Sequence, residues 1–252
     1  MKSTASIQML PPRPTVEVQL PDGRILTGPR GATVAQFLQA AMHPDDAPLV
    51  AAIVNDELRE LTYFLDMDAR IQPITLGDTD GSRIYRRSLT LLLEMAFSDL
   101  FPEAKLTIDH SVAFGGYYCQ VSGRGPLSQA ELDRLSRHLR EFIDADLPFE
   151  RKEVPLAEAI EYFRSRGYED KVHLFAYRKK PYVTLYRLGE RMDYHHGYMV
   201  PSTGYLRWYD LYLTNGGFTL RFPRHDAPTE LLPVPEYPKL LKAFRQYGDW
   251  LE

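Results

Sequence analysis

Two imidazoles stand side by side at His195 and His196, and histidine is the side chain most often used to hold a metal or move a proton near neutral pH. Neighbouring side chains on a strand point to opposite faces, and no third ligand sits at a recognisable spacing from this pair. No metal or other cofactor is therefore expected in this chain. Cys119 is the sole cysteine, so it can form no internal disulfide and is expected to be a core thiol. Between Arg164 and Arg191 eight basic residues stand against three acidic ones, with Tyr177, Tyr182 and Tyr186 among them. Such a segment can meet RNA through phosphate contacts and base stacking, with Arg178, Lys179 and Lys180 as the candidate contacts. The same Lys and Arg stems can also cover apolar surface on a solvated hairpin. No G-x-x-x-x-G-K-[ST] occurs and no G-x-G-x-x-G follows a strand. Gly123-Arg124-Gly125-Pro126 reads as a turn.

The elements that must position these groups read as α+β. Val16, Val18 and Leu20 alternate with polar residues, Pro21-Asp22-Gly23 turns, and Arg24 to Thr27 return as a second strand. Thr33 can cap a short helix that carries Val34, Phe37, Leu38 and Ala41 on one face. Leu49 to Val54 form an apolar strand, Asn55-Asp56 a turn, and Arg70 to Ile74 a closing strand. Gly77 to Ser82 is polar and reads as a linker, with Asp78 to Ser82 a hinge between separate cores. From Arg83 the apolar residues predict a mostly buried helix ending before Pro102. Strands follow near Leu106–Ile108 and Tyr117–Val121, then a Ser128/Glu131 capping box opens a helix. Another helix is expected near Leu156 to Arg166, strands near His173–Tyr177 and Tyr182–Leu188, and a hairpin turning at Asn215-Gly216-Gly217. The resulting division is a disordered leader over 1–14, one unit over 15–76, a second over 80–225, and a Pro-rich connector with a final helix over 226–252.

Composition narrows the function classes. Apolar residues are 44% and charged residues 25%, an ordinary globular balance. The formal net charge of −4 gives no global attraction for nucleic acid, so any RNA contact must be local. No apolar run approaches the roughly 20 residues needed to cross a bilayer. The leader lacks a signal-peptide core, and a single cysteine agrees with a reducing cytoplasm.

Val18-Gln19-Leu20-Pro21-Asp22-Gly23, the Thr33-Val34 helix start and Val54-Asn55-Asp56-Glu57-Leu58 resemble the TGS domain, a ubiquitin-like β-grasp module. Arg86-Arg87-Ser88 with Leu92-Leu93, Phe101-Pro102-Glu103-Ala104-Lys105 and Gly116-Tyr117-Tyr118 resemble the editing domain of threonyl-tRNA synthetases, shared with alanyl-type editing proteins. Lys171-Val172, Asp193, Gly197, Val200-Pro201 and Thr203 resemble that domain's second motif region. The order of the two units resembles the front of a threonyl-tRNA synthetase over nearly the whole chain. The resemblance implies a pocket in which an H-x-x-x-H pair and a C-x-x-x-H pair act on the ester of a mischarged tRNA. Here the first pair falls on Arg87 and Leu91, and the second on His195 and Met199. Lys171 and Asp193 match polar pocket positions. Leu91 and Met199 have no titratable group and Arg87 stays protonated, so hydrolysis is expected to be lost and the pocket retained.

Asp109-His110-Ser111 and the run Asp193-Tyr194-His195-His196-Gly197-Tyr198 before Val200-Pro201-Ser202-Thr203-Gly204-Tyr205 resemble a bacterial group of nucleoside (uridine) kinases. In that group a TGS and an editing-like domain precede a P-loop kinase. That resemblance implies a non-catalytic binding or regulatory region with the kinase as its partner in cis. ATP and Mg would then belong to the downstream domain, and a tRNA or small ligand to the residual pocket. The alternative is an aminoacyl-tRNA deacylase with a rearranged site.

Overall fold

The computed structural model describes residues 11–43, 47–112, 115–214 and 216–233. The expected final helix and most of the expected leader lie outside these residues. The first sheet is built from β1 (Thr15–Gln19), β2 (Ile25–Pro29), β3 (Leu49–Val54), β4 (Glu57–Glu60) and β5 (Ala69–Thr75), in the order β2-β1-β5-β3-β4. The β1–β5 pair is parallel and the other pairs are antiparallel. Helix α1 (Val34–Gln39) follows the β1–β2 hairpin and buries Val34, Phe37 and Leu38. Its entry is a capping box: Thr33 accepts from the Gln36 amide while the Gln36 side chain accepts from the Thr33 amide. Between β3 and β4 the two turn residues, Asn55 and Asp56, both take positive φ, as a tight hairpin of matching twist requires.

Helix α2 spans Thr79–Leu100 and is buried on most of its circumference. The segment read as a hinge is therefore a turn plus the first helical turn. Asp78 accepts from the backbone amide and the hydroxyl of Thr75, which fixes the entry angle. Gly81 lies directly against the Thr75 carbonyl, a distance that leaves no room for a side chain. The first unit has a core of its own, with Val16, Val18, Leu38 and Ile71 among its buried residues, and it also shares one: Val50, Ala51, Ile74 and Leu76 pack in one cluster with Ile84, Leu92 and Leu93 of α2. A polar sequence marked the helix entrance, and the apolar continuity that closes the joint comes from residues distant in sequence.

After α2 come β6 (Lys105–Val112), β7 (Gly116–Ser122) and α3 (Gln129–Asp144). Helix α3 opens on the Ser128/Glu131 capping box and buries Leu132, Leu135, Leu139 and Ile143 at helical spacing. Next are β8 (Glu150–Pro155), α4 (Leu156–Ser165), α5 (Glu169–Ala176), β9 (Tyr182–Leu188), β10 (Arg191–Asp193), β11 (Asp210–Thr214) and β12 (Gly217–Arg221). Two antiparallel sheets result, β11-β12-β7-β6 and β10-β9-β8. The β11–β12 hairpin closes at Thr214 opposite Gly217; Asn215 lies outside the described residues. His173–Tyr177, expected as a strand, belongs instead to α5 and its C-terminal cap. Glu169 and Asp170 occupy that helix's first turn, where carboxylates suit the exposed amides. Its buried Phe175 packs on Phe163 of α4, with Val183 and Leu185 of β9 beneath. A short apolar run has no periodicity of its own, so this packing decides its geometry.

Cys119 is fully buried on β7, and burial pushes its thiol up to about 12. Among the described residues no helix is long and apolar enough to cross a membrane.

Candidate functional site

Positions 87 and 91 lie one turn apart on α2, and the loop after β10 brings residues 193–200 across that helix. Leu91 and Met199 are 5% and 1% exposed and belong to the core. Arg87 spans the gap: its guanidinium donates to the Tyr198 carbonyl at 2.7 Å and rests against Gly197. Ser88, fully buried, accepts from the Val200 amide at 2.9 Å and donates to the Ile84 carbonyl. Three of the four expected catalytic positions thus hold α2 and the loop together by packing and hydrogen bonds.

The remaining polar groups gather one turn further along. Lys171 of α5 donates to Asp193 at the end of β10, and its ammonium also lies over the rings of Tyr168 and Phe163. The His195 Nε2 is 3.9 Å from Asp193 and 4.0 Å from Glu94, too far for a hydrogen bond. That nitrogen is buried without a partner among the described residues. Burial holds the His195 pKa below its usual value, against the pull of Asp193 and together with Lys171 and Arg87. Glu94, Asp193 and His195 each offer one ligand atom within 4.8 Å of the others, the group among the described residues that could hold a metal. Lys171 already supplies positive charge to Asp193. His196, the other half of the pair, lines the cleft but does not join this cluster.

Glu94 was missed in the sequence. It stands seven residues after Arg87 and three after Leu91, on the same face of α2, which is the one signal that could have found it. Burial, reinforced by the facing Asp193, raises its carboxyl from 4.5 to about 7. A raised pKa means that the folded protein binds a proton that the unfolded chain releases. Stability from this group is thus full below about 4.5 and declines as pH rises toward about 7. Glu94→Gln should therefore stabilise the protein at pH 8 and leave it nearly unchanged at about pH 4.5. The Glu94 side chain is 38% exposed, so solvent screening reduces the expected gain to about 1–2 kcal/mol. Urea unfolding of both proteins at the two pH values measures it. An equal difference at both would show that Glu94 titrates normally.

Beside the cluster opens a cleft of about 640 Å³. Arg178, Lys179 and Lys180 lie on its wall with Arg151, Tyr186, Tyr194, His195 and Tyr198. The rest of the basic segment does not face it. Arg164 pairs with Glu161 within α4, Arg187 with Glu150 across the β8–β9 pair and Arg191 with Asp99 of α2. The first unit braces this cleft from behind. Tyr186 donates to the half-buried Glu60 of β4, and Arg59 reaches the Tyr198 hydroxyl at 3.4 Å. Burial raises the Glu60 carboxyl and the Tyr186 phenol alike.

No family model matches the chain. In sequence it is 33% identical over 205 residues to a threonine–tRNA ligase of Symbiobacterium thermophilum, a match spanning 81% of this chain and 31% of the ligase. A threonine–tRNA ligase of Thermotoga maritima is 31% identical over the same shares. One from Azoarcus sp. (strain BH72) is 30% identical over 85% of this chain and 33% of its own length. The matched region spans about a third of the length of these curated relatives. Over some four-fifths of its residues, this α+β chain is thus similar to a region of threonine–tRNA ligases.

Proposed function

We propose that the chain is a non-catalytic TGS and editing-like binding region whose cleft takes a ligand without hydrolysing it. The observation that carries this reading is the use of Arg87, Leu91 and Met199 as packing and clamping residues where a base would be needed. The mixed first sheet, with its parallel β1–β5 pair and one helix after the hairpin, supports the β-grasp assignment. Arg178, Lys179 and Lys180 beside three tyrosines suit a phosphate-bearing ligand with a flat base, such as the end of a tRNA or a nucleotide. A P-loop kinase following in the same polypeptide is part of this reading, and it rests on the likeness of the Asp193 to Tyr205 run. A Gly-Lys-Ser/Thr loop encoded within about 60 residues after Glu252 supports it, and an immediate stop codon removes it.

One observation favours a second reading, a deacylase with a rearranged site. The carboxyl of Glu94 is poised near neutral pH beside His195 and a cleft, and the similar proteins are ligases that act on tRNA. Incubation with seryl-tRNA for threonine separates the two. A positioned general base contributes about 100- to 10,000-fold, so the binding-region reading predicts background rates. Turnover abolished by both Glu94→Gln and His195→Ala would establish the deacylase instead.

A further inference from the structure

A smaller cleft of about 270 Å³ is lined by Arg83, Arg86, Arg87, Thr90 and Tyr117. The three guanidinium groups come from positions i, i+3 and i+4 of α2, which one helical face brings together. Arg83 pairs with Asp80 at 3.2 Å. Arg86 and Arg87 have no carboxylate partner among the described residues. Arg86 donates to the Ser82 carbonyl at 3.2 Å and lies 5.4 Å over the Phe222 ring, while Arg87 donates to the Tyr198 carbonyl. Arg87 is half-buried, and burial, then the nearby Arg83 and Arg86, depress its pKa. Three cations thus crowd one cleft, with Asp80 the one acid paired to them among the described residues, in a protein whose formal charge is −4. Like charges at this spacing favour an anion beside them.

We propose that this cleft binds a small phosphate-bearing molecule through a terminal, multiply charged phosphoryl or pyrophosphoryl group. Guanidinium forks match phosphate oxygens in geometry, and charge-assisted bonds of this kind are among the strongest available to a side chain. A singly charged backbone phosphodiester needs fewer cations, and a cleft of about 270 Å³ suits a small ligand. The site is distinct in its lining residues from the cleft that carries Arg178, Lys179 and Lys180.

Calorimetric titration of the chain with pyrophosphate at fixed ionic strength tests this, with a short RNA lacking terminal phosphates as the second arm. Pyrophosphate is expected to bind with Kd of about 1 mM or tighter. Arg86→Gln and Arg83→Gln should each weaken it by about tenfold, while Lys105→Gln, at an exposed position that lines neither cleft, leaves it unchanged. Arg86→Lys, which keeps the charge and loses the fork, should fall between and serves if Arg86→Gln does not fold. Silence toward pyrophosphate, binding that survives both arginine changes, or RNA binding that depends on Arg86 while pyrophosphate gives no heat would each overturn the proposal.

Discussion

Gly81→Ala is expected to lower the free energy of unfolding by about 3 kcal/mol or more, an effect of the size reserved for steric or cavity faults in a core. In an ordinary helix the same change gains up to about 1 kcal/mol, because alanine is the better helix former. Here the sign reverses. A Cβ at position 81 would fall within the Thr75 carbonyl oxygen, 2.7 Å from its carbon and 3.0 Å from a methyl of Val50. Neither neighbour can swing aside, since one is backbone and the other belongs to a fully buried strand residue. Helix α2 would have to lift from β5, uncovering Val50, Ile74 and Leu76 where they meet Ile84 and Leu92. Urea denaturation of the variant measures the loss. A neutral or stabilising result would mean that the α2 entrance hangs free, as the polar composition of residues 78 to 82 had suggested.

A second large effect is expected at Gly197→Ala, about 2–3 kcal/mol, from two separable causes. The backbone there has φ of +107°, a conformation that costs a residue with a Cβ about 1–3 kcal/mol. The new Cβ would also stand 2.8 Å from the guanidinium carbon of Arg87. That group lies at the end of a flexible side chain and can move, at the expense of its bond to the Tyr198 carbonyl. The two causes are told apart by repeating the substitution in an Arg87→Ala background. Backbone strain persists there and the clash does not, so the cost of Gly197→Ala should fall by about 1 kcal/mol. Strictly additive losses would show that Arg87 does not press on this glycine.

Local signals were legible wherever one stretch of chain carries its own instruction. Ser128 with Glu131, Thr33 before Val34, the Asn55-Asp56 turn and the lone buried thiol are each settled by a few neighbouring residues. Arg87, Leu91, Lys171, Asp193, His195 and Met199 could be singled out in advance only as positions that resemble an editing pocket, since that resemblance is carried by short runs. Their roles could not. Whether Arg87 is a charge facing solvent or a clamp on Tyr198 depends on residues 111 positions apart meeting across α2.

The sequence by itself determined the secondary elements with strong periodicity or capping, the absence of a disulfide, and the absence of bases at three expected positions. Tertiary structure decided the rest. It made the residues 169–176 a helix, because Phe175 finds Phe163. It joined strands of the first unit to α2 in one core, because apolar faces far apart in sequence are mutually complementary in place. It also drew Glu94 to within 4.8 Å of Asp193 and His195, about a hundred positions away. The physical reason is common to all three: spacing along a chain fixes which face a side chain lies on, and only the packing of elements fixes what that face meets.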